Sequence, residues 1–395
     1  MKRMDQDSVV TILPYRRTGS GMTTYSNYMI KALKKANVNF RVVGFGPPPE
    51  FIKEMGIPYF EVAEDPYRMD YLGGPMVTYA WIRKKLEKFI SRSELDSGIF
   101  HFIYPGANFM TDKDHLPTVV TAWGFYSKAQ IFSKSFLDFS LLKYPVVTVG
   151  KLEHYYLDMH SYINADFMAG TTSDTISFWK QRIRSIQGEY VPLPVEVDLN
   201  ASASTYRDSN EVHFLMGERD LERPRNNVWR VLKAFKILFN RGYSDFYLHL
   251  VGGYGQRLNS TVERLRASGL KISLEKYMPK NSFNDLVSKC DVSLIPRYIM
   301  DQGGYWPLEA MARGSCSVAS DLPAFKDFVL PGVNGLLVNP LSVDDIANKI
   351  CILLKDRNIL MSLKKGALSR ILEVHSLEVV GRQYAKIYNE VFTKQ

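Results

Sequence analysis

The chain has 395 residues, 46% of them hydrophobic and 13% aromatic, which is enough apolar material for folded cores and excludes a disordered protein. This length predicts two domains. The three cysteines, Cys290, Cys316 and Cys351, include no C-x-x-C pair and are too few for a disulfide framework, so they indicate a reducing compartment.

The formal net charge is +9, and most of the excess lies in the second half of the chain. Residues 1–200 carry 23 basic and 21 acidic side chains, against 27 and 20 in residues 201–395. Such a balance suits either a nucleic acid or a pocket for a diphosphate. The sequence has neither zinc-finger spacing nor an RNP-type aromatic string, so we favour a diphosphate and predict no nucleic-acid partner.

Membrane attachment, if there is any, is predicted to be peripheral. No apolar run reaches the roughly 18 residues of a spanning helix, and the N-terminus lacks the hydrophobic region of a signal peptide. The segment Trp81–Ile90 predicts a basic amphipathic helix, which either packs on a sheet or contacts an anionic membrane. We therefore expect a cytoplasmic protein, or one on the cytoplasmic face of a membrane.

Strand-like runs alternate with amphipathic helical segments in the first half of the chain. In order, the sequence predicts strand Val9–Leu13, helix Tyr25–Lys35, and strands Phe40–Phe45, Gly98–Tyr104 and Pro117–Ala122. This alternation is typical of an α/β domain with a parallel sheet. We interpret the aromatic stretch 125–163 as helices and loops beside a cleft.

A second α/β half follows a predicted linker. The composition shifts near Val191–Pro194, and residues 200–210 are rich in Ser, Ala and Asn. The predicted strands are Val212–Met216, Phe246–Val251, Asp291–Ile295, Ser315–Ala319 and Gly335–Val338, and the predicted helices are Asn227–Asn240, Ser282–Lys289, Val343–Leu354 and Leu377–Phe392. Because open parallel sheets bind ligands at the carboxyl ends of their strands, a cleft between two such halves would gather both sets of loops.

Two glycine turns follow predicted strands. Gly19-Ser20-Gly21-Met22 is either a loop that approaches a phosphate or sugar, or an ordinary strand-to-helix turn, and both interpretations stay open. It lacks the third glycine and the later acidic residue of a dinucleotide fingerprint, which argues against a dehydrogenase. For Gly252-Gly253-Tyr254-Gly255 we favour a turn that allows close helix–sheet packing.

An arginine-rich loop follows the first strand of the second half. Arg219 ends that strand, and Arg223 and Arg225 precede the next helix. Arginines in this position can form bidentate hydrogen bonds to phosphate oxygens, although a solvated charged loop is the alternative.

The most informative stretch runs from Asp301 to Glu309, where two carboxylates flank Gly303-Gly304 and the second lies in a predicted helix start. Glycines let the backbone come close to a ligand, and a helix start suits a phosphate. A carboxylate one turn on can accept hydrogen bonds from sugar hydroxyls. An ordinary helix start would explain Pro307 and Glu309, but it would not explain the preceding Gly303-Gly304 and the second carboxylate. We therefore predict a site for a nucleotide-sugar diphosphate.

Other catalytic classes find little support. The seven histidines show no zinc-binding spacing, so we predict no metal, and His213 and His249 lie inside predicted strands as expected of core residues. The sequence contains neither a G-x-S-x-G elbow nor a Walker A loop, which argues against serine hydrolases and P-loop enzymes.

The second half resembles the donor domain of the retaining glycosyltransferases of family 4. The segment Pro307–Gly314 is similar to the family motif P-L-E-A-M-A-x-G, and Asp301 and Glu309 stand at the ends of its E-x7-E motif. The likeness continues through Ser317–Asp321 and Gly332–Val338. Gly217-Glu218-Arg219 is similar to the family's G-R turn with altered spacing, and an arginine stands where a lysine usually follows.

This resemblance implies an α/β protein with the GT-B fold, in which two Rossmann-like domains face each other across a cleft. The implied parts are an acceptor-side domain (1–195), a nucleotide-sugar donor domain (196–375) and a C-terminal helix (376–395) that packs back on the first domain. The implied activity is retaining, metal-independent transfer of a hexosyl-type sugar from a nucleoside-diphosphate sugar to a glycan or lipid-linked acceptor, without a cofactor.

The resemblance also implies roles for individual residues. Asp301 would contact the transferred sugar, Arg219 and Arg225 would neutralise the departing diphosphate, and Glu309 would bind the ribose hydroxyls. The remaining implied donor-binding residues are Gly303, Gly304, Tyr305, Arg223, Gly21 and Gly19.

The chain departs from the family pattern at two places. Asp301 is one methylene shorter than the usual glutamate. Trp123 stands where the family often has a histidine, and an indole cannot shuttle a proton, although it could stack on a sugar. Two alternatives therefore stay open: a catalytically degenerate protein that binds a nucleotide or glycan, and a sugar-nucleotide epimerase.

Overall fold

The structure is a computed structural model. It describes residues 10–13, 21–63, 81, 84–86, 88–89, 98–103, 117–123, 155–156, 158–197, 211–298 and 305–394. The predicted site residues Gly19, Asp301, Gly303 and Gly304 lie outside the described residues, as do residues 200–210 and most of the stretch 125–163.

The chain divides into two compact units. The first consists of residues 1–194 together with 377–395, and the second of residues 195–376. Each is built around a parallel sheet, because buried apolar runs alternate with helical segments in both.

The N-terminal domain has a seven-stranded parallel sheet in the order β3-β2-β1-β4-β5-β6-β7. Its strands are β1 Val10–Leu13, β2 Phe40–Phe45, β3 Tyr59–Ala63, β4 Ile99–Phe102, β5 Thr118–Ala122, β6 Phe167–Gly170 and β7 Gly188–Tyr190. Its helices include α1 Gly21–Lys35, α2 Glu50–Glu54, α3 Ser173–Lys180 and, from the C-terminal part of the chain, α11 Leu377–Thr393. Strands β1, β4 and β5 are buried where described, as expected for a sheet covered on both faces.

The C-terminal domain has a six-stranded parallel sheet in the order β10-β9-β8-β11-β12-β13. Its strands are β8 Val212–Asp220, β9 Phe246–Gly253, β10 Ile272–Glu275, β11 Val292–Ile295, β12 Cys316–Ser320 and β13 Gly335–Val338. Its helices are α4 Val228–Asn240, α5 Gln256–Ala267, α6 Lys280–Val287, α7 Trp306–Met311, α8 Pro323–Lys326, α9 Val343–Lys355 and α10 Arg357–Arg370, followed by the π-helical turn Ile371–His375. Among the described residues, none of the helices combines the length and apolar composition that crossing a bilayer requires.

Helix α11 is joined to the N-terminal domain by close packing and by buried polar contacts. A Cβ on Gly381 would collide with the carbonyl oxygen of Ala32, so a glycine is needed where α11 approaches α1. The fully buried His101 on β4 lies with its Nδ1 2.7 Å from the Tyr388 hydroxyl and its Nε2 2.8 Å from the Thr121 hydroxyl. The last helix of the chain is therefore part of this domain's core.

We expect His101 to make the N-terminal domain less stable as the pH falls, because burial lowers its pKa to about 3, whereas the buried Asp158, whose pKa burial raises, acts in the opposite direction. An unfolded chain binds this proton near pH 6.5, whereas the folded domain does not until about pH 3. Across that window each pH unit of acidification removes about 1.4 kcal/mol of unfolding free energy per such group. Denaturant titrations at several pH values measure the slope.

The His101→Gln variant should lack the contribution of His101 to this slope, about 1.4 kcal/mol per pH unit, whether or not the substitution changes the absolute stability. A variant whose stability keeps the pH dependence of the parent would contradict the assignment.

His213 and His249 lie on the sheet face at the surface of the C-terminal domain rather than in its core. Their rings stack, with His213 Nδ1 3.0 Å from His249 Nε2, and His249 Nδ1 lies 3.0 Å from the Ser273 hydroxyl. Burial, followed by the neighbouring His213, lowers the pKa of His249 to about 4.

Candidate functional site

The carboxyl edge of the C-terminal sheet contains the point where the strand order reverses. Strand β8 lies in the middle, with β9 and β10 on one side of it and β11 to β13 on the other. In open α/β sheets this switch point, between β8 and β11 here, is where ligands bind. Of the predicted site residues of this domain that are described, Arg219 lies near the end of β8, and Arg223 and Arg225 follow that strand. Glu309 lies on α7, and Tyr305 immediately precedes it.

A buried ion pair lies at the switch point. Glu218, near the end of β8, accepts two hydrogen bonds from Arg297, which follows β11: Nε to Oε1 is 2.8 Å and Nη2 to Oε2 is 2.7 Å. The two side chains are 5% and 7% exposed. Ser320, at the end of β12, donates its hydroxyl to the carbonyl oxygen of Arg297. The ends of three neighbouring strands are therefore connected through polar side chains.

Strand β8 comes close to the start of α7 at Gly217. A Cβ on Gly217 would lie 2.7 Å from Phe283 Cζ, so a larger residue would push that ring away, and 3.7 Å from Trp306 Cδ2, an ordinary van der Waals distance. The rings of Phe283 and Trp306 meet edge to face at 6.4 Å. This packing sets the segment that carries Arg219 beside the helix that carries Glu309.

A glycine is required near the end of β9. Gly252 has a φ of +147°, and a Cβ there would collide with the carbonyl oxygen of Glu218. The Gly255 N–H donates to Glu222 Oε2 at 2.5 Å, and the Leu221 N–H donates to the Gly253 carbonyl. The favoured interpretation, a turn that allows close helix–sheet packing, differs from this geometry, because Gly252 is the penultimate residue of β9 and lies against Glu218 of the neighbouring strand β8.

The arginine loop is anchored to the carboxyl edge of the sheet. Asn226 donates to the Asp220 carbonyl at 2.5 Å, and Asn227 donates to the carbonyls of Pro296 and Pro340 at 2.8 and 2.7 Å. The Tyr298 N–H donates to the Arg225 carbonyl at 3.3 Å. The loop is therefore tied to the segment that leads toward Asp301.

The three predicted arginines of this loop differ in exposure. Arg219 and Arg223 are exposed, and Arg225 is half-buried. Arg223 Nε lies 3.5 Å from Asp220 Oδ2 at the surface. Arg219 and Arg223 are thus the predicted cations with most solvent access, and Arg219 directly follows Glu218, whose side chain is buried.

Glu309 lies in the first turn of α7 with its carboxylate almost entirely buried. Its Oε2 is 2.5 Å from Nζ of Lys280, the first residue of α6, and its backbone carbonyl accepts a bond from Arg313 at 3.1 Å. The Glu309 side chain is 3% exposed and that of Lys280 53%. Tyr305, which immediately precedes α7, is buried. A buried carboxylate held by one cation can act as an acceptor for hydroxyl groups.

In the N-terminal domain, Gly21 opens α1 directly after the segment that follows β1, and a Cβ there would meet no atom within 4 Å. Trp123 is 2% exposed, donates its indole N–H to the Ile103 carbonyl at 2.7 Å and meets Tyr25 edge to face. This is the placement of a core residue, and it offers a sugar almost no aromatic face. The suggested stacking role therefore does not fit Trp123 as the structure has it.

Sequence reasoning did not find Lys280, Glu218 or Arg297 as site residues. Lys280 precedes its partner Glu309 by 29 positions, and Glu218 is 79 positions from Arg297. Neither separation produces a local pattern. Within the described residues, no group of three or more His, Cys, Asp or Glu side chains is arranged to hold a metal ion.

The C-terminal domain matches the family described as Glycosyl transferases group 1, over residues 214–370. This segment contains the arginine loop, Lys280 and Glu309. A curated relative, the N,N'-diacetylbacillosaminyl-diphospho-undecaprenol alpha-1,3-N-acetylgalactosaminyltransferase of Campylobacter jejuni, is 24% identical over 174 residues. That match covers 41% of this chain and 44% of the relative, so it spans less than half of either protein.

Solved structures match nearly the whole chain. Sucrose-phosphate synthase from Thermosynechococcus elongatus has a TM-score of 0.70 at 16% identity, covering 98% of this chain and 100% of that one. A glycosyltransferase from Rickettsia africae has a TM-score of 0.70 at 14% identity, covering 99% and 100%. HepE of Anabaena in complex with UDP has a TM-score of 0.68 at 13% identity, covering 97% and 100%. These likenesses, with two parallel-sheet α/β domains, confirm the predicted GT-B fold.

Proposed function

We propose that the protein is a retaining, metal-independent glycosyltransferase that moves a hexosyl-type sugar from a nucleoside-diphosphate sugar to a glycan or lipid-linked acceptor. The observation that carries the proposal is the close approach of β8 at Gly217 to Trp306, where an added Cβ would lie 3.7 Å from the indole, which brings the end of β8 that leads into the arginine loop beside the helix of Glu309. Both segments lie within the residues that match the group 1 glycosyl transferases.

In this proposal the donor's ribose hydroxyls donate to the Glu309 carboxylate. The diphosphate lies toward the arginine loop, where Arg219 and Arg225 offset its charge. These cations act most strongly in the transition state, since the leaving diphosphate gains negative charge as its bond to the sugar breaks. Asp301 contacts the transferred sugar.

Transfer with retention requires attack on the same face from which the diphosphate leaves. The bond between the anomeric carbon and the phosphate oxygen breaks, and that oxygen keeps the electron pair. The acceptor hydroxyl oxygen then bonds to the anomeric carbon, and its proton passes to the departing phosphate. No protein group has to carry this proton, which agrees with a tryptophan at position 123.

A lipid-linked acceptor has support from one relative, whose name describes transfer to a diphospho-undecaprenol compound. For this chain we extend that to a glycan or lipid-linked acceptor at the cytoplasmic face of a membrane. Leu86 is buried and Trp81 and Phe89 pack against the domain core. The peripheral contact of the basic segment 81–90 therefore falls to exposed lysines such as Lys84 and Lys85.

A panel of UDP-, GDP- and ADP-sugars tests the proposal. A donor that binds the folded state raises the melting temperature, and the donor so identified is then assayed for transfer to lipid-linked and free glycan acceptors, with and without EDTA. Transfer that survives EDTA and keeps the anomeric configuration is the expected result. Inhibition by EDTA would contradict metal independence, and inversion of the anomeric configuration would contradict the retaining mechanism.

The second candidate is a catalytically degenerate binding protein, favoured by the buried Trp123 at the position of the family's histidine. It predicts a melting-temperature shift without product. Donor consumption without an acceptor would instead indicate the epimerase alternative or hydrolysis.

We expect Arg219→Ala to lower kcat by about 10- to 100-fold with little change in melting temperature, because a charge-assisted hydrogen bond contributes roughly 1.5–3 kcal/mol and Arg219 is exposed. Steady-state kinetics with the identified donor measure the effect. Arg264→Ala is the matched control, an exposed arginine on α5. Equal turnover in the two variants would remove Arg219 from the site.

A further inference from the structure

Lys280 and Glu309 form an ion pair in which the anion is buried and the cation is at the surface. The distance from Nζ to Oε2 is 2.5 Å, and the side chains are 53% and 3% exposed. Removing solvent from a carboxylate is costly unless a cation or hydrogen-bond donors replace the water. Lys280 supplies a donor and a charge at the solvent side of this carboxylate.

The geometry of the pair is set by two helices packed against each other. Lys280 begins α6, and Phe283, one turn later, meets Trp306. Trp306 begins α7, and Glu309 follows it by one turn. The ring contact and the charge contact each join residues one turn apart on the two helices, so both bring the start of α6 and the first turn of α7 together.

A carboxylate that is paired with an ammonium can accept further hydrogen bonds. Its two oxygens offer about four lone-pair sites, so Oε2 can accept from Lys280 while the group also accepts from hydroxyls of a ligand. The Lys280 side chain is flexible and half exposed, so its ammonium can move when a ligand binds and still remain paired with Glu309.

We propose that Lys280 is a positioning residue for the donor: it holds the Glu309 carboxylate in place for the ribose hydroxyls and thereby sets the preference of the site for ribose over deoxyribose. This inference rests on the proposed function, in which Glu309 receives the ribose. The inference predicts that substituting Lys280 changes the preference for ribose over deoxyribose. Substituting a residue needed merely for folding would not change that preference.

Calorimetric titration of the full-length protein with UDP, GDP and ADP identifies the nucleotide that binds most tightly. The affinity for that nucleotide is then compared with the affinity for its 2′,3′-dideoxy counterpart. We expect the wild type to prefer the ribonucleotide by about 10²- to 10³-fold, as for the loss of two hydrogen bonds to a charged group. In Lys280→Met we expect ribonucleotide affinity to fall about 5- to 10-fold, with dideoxynucleotide affinity within about twofold of wild type.

Two further variants and one control complete the design. Lys280→Arg should keep most of the discrimination, and Lys280→Gln should lose about as much of it as Lys280→Met does, so the result does not depend on the folding of one variant. Lys289→Met replaces an exposed lysine just beyond the other end of α6 and should match wild type. In turnover, Lys280→Met should raise the donor KM, leaving kcat within about twofold and the acceptor KM unchanged.

The outcomes separate this inference from the proposed function. A wild-type protein that binds none of the three nucleotides refutes both. If wild type binds and Lys280→Met keeps the full ribose preference, the inference fails and the proposed function stands. Equal loss of ribo- and dideoxynucleotide affinity would show that Lys280 contacts the phosphates, which also overturns the inference.

Discussion

Replacing Glu309 by alanine is expected to lower kcat/KM for the donor by about 10²- to 10³-fold, because two hydroxyl hydrogen bonds to a carboxylate together contribute about 3–4 kcal/mol. The loss should exceed that of any other single substitution in the described part of the site. It should also appear as lost affinity for the nucleotide product, since the proposed contact is to the ribose and not to the reacting sugar. Calorimetry with the nucleotide and steady-state kinetics with its sugar measure the two effects separately.

The folded state should tolerate this change. Lys280 loses its partner, but its ammonium is half exposed and regains water. Glu309→Gln keeps the volume and one carbonyl oxygen, and should fall between alanine and wild type. Glu263→Ala, which breaks an exposed pair with Arg266 on α5, is the matched control for loss of an ion pair. Wild-type donor kinetics in Glu309→Ala would refute the site itself.

The parts of the fold that sequence reasoning predicted best are buried strands with long apolar runs. Strands β2 and β13 begin and end at the predicted residues, Phe40–Phe45 and Gly335–Val338. In parallel sheets both faces are covered, so the strand reads as an unbroken apolar run bounded by turn residues.

Three strands of the two sheets escaped prediction for reasons other than length, since the four-residue β13 was predicted. Strands β7 and β10 are mostly half-buried and include charged residues, so they lack a continuous apolar run, and β6 follows directly after the aromatic stretch interpreted as helices and loops. Strand β3 lies at the edge of its sheet and mixes exposed with half-buried positions, so its sequence lacks the buried signature. Helix α5 differs, since its buried residues Leu258, Val262 and Leu265 follow helical spacing and could have been recognised.

The candidate site residues also divide into those that a local sequence motif indicated and those that it did not. Glu309 and Arg219 were found because motifs are local: each lies within a few residues of a glycine and a predicted element boundary. Lys280 and Arg297 were not, since their partners come from other strands and helices. The Glu218–Arg297 pair exists because β8 and β11 are neighbours across the switch point although they are far apart in sequence.

A buried ion pair in the C-terminal domain should dominate that domain's response to substitution. Lys364 on α10 is 1% exposed, and its Nζ lies 2.5 Å from Asp291 Oδ1. Asp291 Oδ2 accepts the backbone N–H of His213 at 3.0 Å. This aspartate therefore connects α10, the start of β8 and the residue before β11.

We expect Asp291→Asn to lower the unfolding free energy of the C-terminal domain by about 3–5 kcal/mol, because it leaves the Lys364 ammonium in the core without its anion. Lys364→Met should cost less, since Asp291 is 20% exposed and keeps its backbone donor. The double variant should be more stable than the sum of the two single losses predicts, because neither charge is then left unpaired. Scanning calorimetry can follow the two domains as separate transitions. Lys271→Met, which breaks the exposed pair with Glu211, should not shift the transition measurably, and an Asp291→Asn protein as stable as that control would show that the buried pair does not hold α10 to the sheet.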